Sequence, residues 1–167
     1  MPEMIAVQEL LFDLSVQASE SIDFGIDEQS LSSGRTPMPP KGVRFNSDFQ
    51  GEFTGPKLKG RMVGTNYLFV RADGVQFLNI QAVLTTAEGN RIALHATGTL
   101  TKPELTDLLL WPPRSHADQA SPICQLRGNL SFHTAASKYS WLNRIQGWGT
   151  GTYDESTRKA VVKVFAA

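Results

Sequence analysis

Cysteine occurs once in the chain, at Cys124, so no disulfide can form within it. That excludes a small secreted scaffold stapled by cross-links and is compatible with a reducing compartment. Basic residues are missing from the start of the chain. Seven acids (Glu3, Glu9, Asp13, Glu20, Asp23, Asp27 and Glu28) precede Arg35, the first Lys or Arg. The opening stretch MPEMIAVQELLFDLSV therefore lacks the basic flank of a signal peptide. No apolar run approaches the roughly 20 residues that a spanning helix needs. These absences lead to the expectation of a cytoplasmic protein with no membrane partner. Net charge is absent too. Lys+Arg and Asp+Glu both number 16, so no global field favours nucleic acid, and none is expected as a partner. An acidic first strand lying beside basic neighbours would balance the uneven distribution without outside help.

Linear catalytic signatures are also missing. There is no GxGxxG opening a helix, no Walker loop, no GxSxG elbow and no CxxC. The three histidines, His95, His116 and His133, show neither HxH nor HExxH spacing. No cofactor and no metal is implied.

What is present is alternation. With 167 residues, 41% hydrophobic and 19% charged, the composition suits a single globular domain over 1–167 with a sizeable core. Leu10, Phe12, Leu14 and Val16 alternate with more polar residues and predict a first strand. Val43, Phe45, Phe49 and Phe53 share one face of a long second strand, with Gly51 read as a bulge. Further strands follow at about 57–71, 75–86, 91–100, 124–134, 144–153 and 159–165. Ala72-Asp73-Gly74 and Ala87-Glu88-Gly89-Asn90 supply tight turns. The segment 29–40 reads as loop and 137–142 as one helical turn. Residues 103–111, PELTDLLLW, predict a helix begun at Pro103 and stopped by Pro112-Pro113, with a loop after it. Short connections make successive strands antiparallel neighbours. The predicted class is all-β: an antiparallel up-and-down barrel of about eight strands with one or two short helices. Lys57, Lys59 and Arg61 share a strand face, read as solvated surface because no aromatics interleave them.

Three segments resemble a bacterial and fungal family known as domain of unknown function 3237, or uncharacterised protein family 0311. They are Gly51 to Gly60 (GEFTGPKLKG), Val70 to Gly74 (VRADG), and Phe132 followed by Lys138-Tyr139-Ser140-Trp141-Leu142-Asn143-Arg144. The resemblance implies a lipocalin-like β-barrel and little settled biochemistry. Its pattern has Asp, Arg and Glu where this chain carries Asn66, Gln81 and His133. The resemblance therefore implies a lumen that keeps hydrogen bonding but loses fixed charge, with a group titrating near neutral pH.

Two functions fit such a barrel. One is a cofactor-independent enzyme of the isomerase, cyclase or lyase type, moving protons on a small apolar or aromatic metabolite of secondary metabolism. The other is a non-catalytic binding or carrier barrel, which needs the same cavity without the titrating group. For the first, His133 is the expected acid or base, at a strand end read as the barrel mouth. Asn66 and Arg144 are the expected catalytic partners that stabilise an oxyanion or enolate. Gln81, His95, Tyr67 and Trp141 are the expected substrate-binding residues. Each has a plain alternative. His133 suits the polar face of a strand, His95 a hydrogen-bonded structural histidine and Gln81 a satisfied interior amide, while Tyr67 points opposite to Asn66, Trp141 suits a plug, and Arg144 suits a salt bridge. A short barrel also suits a homodimer.

Overall fold

The computed structural model describes residues 8–102 and 122–167. Nine strands are present among them: β1 (Leu10–Ala18), β2 (Ile22–Asp23), β3 (Val43–Thr54), β4 (Lys59–Val70), β5 (Gln76–Thr86), β6 (Arg91–Thr101), β7 (Ile123–His133), β8 (Gln146–Asp154) and β9 (Lys159–Ala166). Helix α1 spans Glu28–Ser32 and a 3-10 helix spans Ser137–Arg144. Around the sheet the order is β1, β9, β8, β7, β6, β5, β4, β3, and β3 then pairs with β1. Eight strands thus close into an antiparallel barrel. The closing seam runs from Asp13 opposite Thr54 to Ala18 opposite Phe49. β2 is an extra strand that continues along β3 beyond the seam, with Ile22 opposite Asn46.

Local chemistry explains the turns. Gly74 and Gly89 adopt φ of +88° and +91° in the two tight hairpins, a region that costs glycine nothing. The long β3 arises from alternation, and Val43, Phe45 and Phe53 are buried on one face. Gly51 is no bulge. It keeps regular register with Val16 on one side and Met62 on the other. Its role is close approach, because a Cβ there would lie 1.9 Å from the Ser15 carbonyl oxygen.

One segment departs from expectation. Helix α1 and β2 fall within or beside a stretch that composition marks as loop. Helix α1 has five residues and is capped by Asp27, whose carboxylate accepts the Ser30 N–H at 2.7 Å. A helix that short shows no measurable periodicity. The helix predicted at 103–111 and the loop after it, with His116, lie outside the described residues.

The ends of the barrel differ. At one end Phe12, Phe53, Met62, Leu84, Ile92 and Phe132 pack into the main core. The Phe12 and Phe53 rings stand 5.4 Å apart, and Phe12 meets Phe132 edge-on at 6.4 Å. The 3-10 helix plugs this end. With three residues per turn, positions three apart share a face, so Tyr139 and Leu142 are both buried. Asn143 clamps the plug to β7. Its Oδ1 accepts from the Thr134 N–H and its Nδ2 donates to the Thr134 carbonyl, both at 2.8 Å. The string Tyr139 to Arg144 is in this way a stopper. The acidic N-terminal stretch finds its balance locally: Asp13 pairs with Lys163 and Glu9 with Lys57, each at 2.7 Å.

Candidate functional site

The interior beyond the plugged floor is hollow. Among the described residues, a cavity of about 760 Å³ runs up the barrel and opens at the opposite end, where β3, β5, β7 and β9 begin and where α1 lies across the rim. Its walls are apolar. Val16, Phe49, Leu78, Ile80, Leu126 and Leu130 are among the lining residues. This follows from the period-2 rule: one face of every strand points into the lumen.

Polar groups gather at the rim. Ser21, Glu28, Lys102, Tyr153, Glu155 and Arg158 all line the opening. They come from the ends of different elements, brought together by closure of the sheet. Lys102 pairs with Glu155 at 2.9 Å, and both are only partly exposed. Ser21 donates its hydroxyl to Glu28 at 2.6 Å. The buried Cys124 thiol meets the Glu155 carboxylate at 3.6 Å.

Burial is the main cause that pushes the Tyr153 phenol up to about 12, with the charge of Glu28 next. The nearby Arg158 opposes this, and Glu155 adds to it. Tyr153 therefore keeps its proton at physiological pH and is available as a hydrogen-bond donor. The consequence for stability has a definite sign. Below pH 10 the folded and unfolded chains both hold this proton. Above pH 10 the unfolded phenol ionises while the folded one does not, so stability falls as pH rises towards 12. A Tyr153→Phe variant should lose less stability than wild type over that window, by about 1 kcal/mol at its upper end once solvent screening of the partly exposed phenol is allowed for. Urea unfolding of both proteins at pH 9 and pH 12 checks this. Equal losses would mean that the phenol is not shielded.

The residues expected from sequence divide sharply. Asn66 lines the cavity. Its Oδ1 accepts the Asn79 N–H at 3.2 Å, filling a gap in the β4–β5 ladder. Tyr67, next to it, points outward and is exposed, as alternation requires. The others lie away from the lumen. Gln81 and His95 face each other across β5 and β6 on the outer surface. The His95 ring nitrogen contacts Asn79 Oδ1 at 3.1 Å. The reason is face assignment. On β5 the lumen takes Gln76, Leu78 and Ile80, which leaves the odd positions outside.

His133 is corrected in two respects. It is exposed on the outer face, opposite Ala93. It also sits at the plugged end rather than at the mouth. Leu130 and Phe132 take the inward positions of β7, so the odd residues face solvent. Arg144 is exposed at the C-terminus of the plug. Trp141 packs against the flank of the core, with the Lys57 ammonium 5.3 Å from its ring centre. Sequence reasoning missed the rim set of Glu28, Lys102, Tyr153, Glu155 and Arg158. The only early sign of it was polar residues bracketing the turn at 154–158.

No group of three or more His, Cys, Asp or Glu side chains among the described residues is arranged to hold a metal ion. No helix among the described residues is long and apolar enough to cross a membrane. No curated protein matches the sequence. Solved structures do resemble the fold. A β-barrel-like protein from Acinetobacter baumannii AYE is 21% identical, with 96% of this chain and 94% of that one covered and a TM-score of 0.75. A protein with unknown function from Clostridium acetobutylicum ATCC 824 is 18% identical, covering 96% and 99%, with a TM-score of 0.72. An enzyme from Penicillium herquei is 17% identical, covering 95% and 93%, with a TM-score of 0.62. At these identities the likeness is one of fold alone. The family model described as Protein of unknown function (DUF3237) matches residues 9–167, nearly the whole length, and the chain belongs to that family.

Proposed function

We propose that the lumen binds a small, largely apolar or aromatic molecule and that rim groups carry out proton-transfer chemistry on it. The observation behind this reading is the cavity of about 760 Å³ with mostly apolar walls, a few polar side chains such as Asn66 and Thr97 along them, and charged groups at its mouth. A body of that size and polarity suits a drug-sized metabolite, and a few convergent polar groups set its orientation. Tyr153 acts as donor to a carbonyl or enolate oxygen. Glu28 or Glu155 accepts the proton that moves. Isomerisation, cyclisation and elimination all fit this pair of roles. One protein of similar fold is described as an enzyme, which supports chemistry over simple carriage. His133 takes no part in this reading, because it lies outside the barrel at its far end.

Filling the lumen tests the binding half. Ala96 and Ala160 line it from separate walls. Tryptophan at both positions should weaken binding of the neutral probe N-phenylnaphthylamine by about a hundredfold or more, since its aryl body has no remaining space. Native mass spectrometry of the same pair should show any co-purifying mass lost in the variant. Unchanged probe affinity would sink the lumen reading. The catalytic half is tested in D₂O with the molecule so identified. Proton transfer incorporates deuterium, and Tyr153→Phe should slow incorporation about a hundredfold. A molecule that binds and acquires no deuterium marks a carrier.

A further inference from the structure

Arg158 stands apart in the backbone. Among the described residues it is the non-glycine with φ in the left-handed region, at 58°. Glycine and asparagine are the usual occupants there, because a bulky side chain crowds the following carbonyl. The surroundings impose the conformation. In the turn between β8 and β9 the Asp154 carboxylate accepts from the Ser156 N–H at 2.9 Å and from its hydroxyl at 2.6 Å. The Arg158 carbonyl then accepts from the Ala18 N–H at 2.9 Å and from Gln17 Nε2 at 3.2 Å. Gln17 Nε2 also donates to the Thr157 carbonyl at 2.7 Å. The turn is pinned to β1, the strand that pairs with β9, and Arg158 is among the residues that line the cavity mouth. A position that favours glycine, held in place and given an arginine, is where backbone strain is associated with function.

Charge accounting points the same way. The other lining cation, Lys102, is neutralised by Glu155. Glu28 accepts a hydrogen bond from Ser21 and keeps its charge, while Asp73 at the same opening pairs with Arg71. Arg158 enters no ion pair among the described residues. It is half-buried above an apolar chamber, with its planar fork of donors uncommitted to a carboxylate. The Tyr153 phenol, close enough to feel its charge, adds a neutral donor.

Resting on the reading of the lumen as a binding site, we propose that Arg158 receives an oxyanion, so that the bound molecule is a small organic acid whose apolar body points down the barrel. A carboxylate or a stabilised enolate matches the guanidinium fork in two parallel hydrogen bonds. The acid head stays at the rim, where the proton-transfer groups are, and the body reaches towards Leu130.

Two fluorescent probes with a common arylamine body decide the matter. Anilinonaphthalenesulfonate carries an anionic head, and N-phenylnaphthylamine has none. The wild-type chain should bind the sulfonate about tenfold more tightly than the neutral probe. Arg158→Gly suits the φ of the site and so keeps the turn. It should weaken the sulfonate by about ten- to a hundredfold and leave the neutral probe within about twofold. Arg158→Lys, which keeps the charge and loses the fork, should fall between. Equal weakening of both probes by Arg158→Gly, or of neither, overturns the assignment of an acid. If the neutral probe is lost on filling Ala96 and Ala160 but shows no such dependence on Arg158, the lumen reading stands and the acid falls. If filling leaves both probes bound, both inferences fall.

Discussion

Replacing Phe12 with alanine should cost about 4 kcal/mol of stability, and thermal unfolding should shift down by about 8–16 °C. Phe12 has no exposed surface. Its ring closes the floor of the barrel between Phe53 and Phe132. Three contributions add up: lost transfer free energy, a cavity that rigid strands cannot collapse, and two broken aromatic contacts. Val161 is the control. It is 53% exposed on neighbouring β9, and alanine there should change stability by less than about 0.5 kcal/mol. The Phe12 variant has a functional signature as well. A void lined by Phe53 and Phe132 is dry and apolar, so it should admit a benzene-sized guest and regain stability in its presence. A loss below about 1 kcal/mol for Phe12→Ala would mean that the three-ring cluster does not hold the floor.

Gly51→Ala is expected to cost about 3 kcal/mol, near the upper end for overpacking. The added carbon would meet the Ser15 oxygen at 1.9 Å and Val16 Cα at 2.6 Å. Both are backbone atoms of β1, and neither can swing aside. Relief comes only by moving β1 off β3, along the seam that closes the barrel. Gly149→Ala is the matched comparison. It adds the same methyl to a lumen-facing glycine whose nearest neighbours are side-chain atoms at 3.3 and 3.4 Å. That change should stay within about 1 kcal/mol. Urea unfolding measures both. Hydrogen exchange locates the effect, with faster exchange confined to Leu14–Ala18 and its partners in β3. Equal stabilities for the two variants would show that the seam tolerates separation.

Most strands were legible because their pattern is local. A strand needs only alternation and a turn, and both are written in adjacent residues. The lumen face of β3 follows from Val43, Phe45, Phe49 and Phe53. The stopper was legible as a helical turn at 137–142, though its purpose was not. Tyr139 and Leu142 become neighbours only under the three-residue repeat of a 3-10 helix. Helix α1 was illegible for the opposite reason, since five residues give no period to read.

The candidate site was legible in one residue of seven. Asn66 lies in the cavity, while Gln81, His95 and His133 face solvent. On β5 both faces mix apolar and polar residues: Phe77, Asn79, Gln81 and Val83 on one, Gln76, Leu78, Ile80 and Ala82 on the other. Alternation says that two faces exist. It does not say which one is wet when their polarities are similar.

Pattern and composition alone establish the chemistry of the parts: antiparallel strands, tight glycine turns, an unstapled chain with Cys124 as its single cysteine, and balanced charge. Which end of the barrel is open is decided by the packing of Tyr139, Leu142 and three phenylalanines at the other end. The grouping of Glu28, Lys102, Tyr153, Glu155 and Arg158 likewise depends on closure, because their strand ends lie far apart in the chain. Pairing β1 with both β3 and β9 turns a linear succession of strands into a ring. Only in a ring do alternate loops share one rim, so the mouth, its charges and the lumen beneath are properties of the closed sheet.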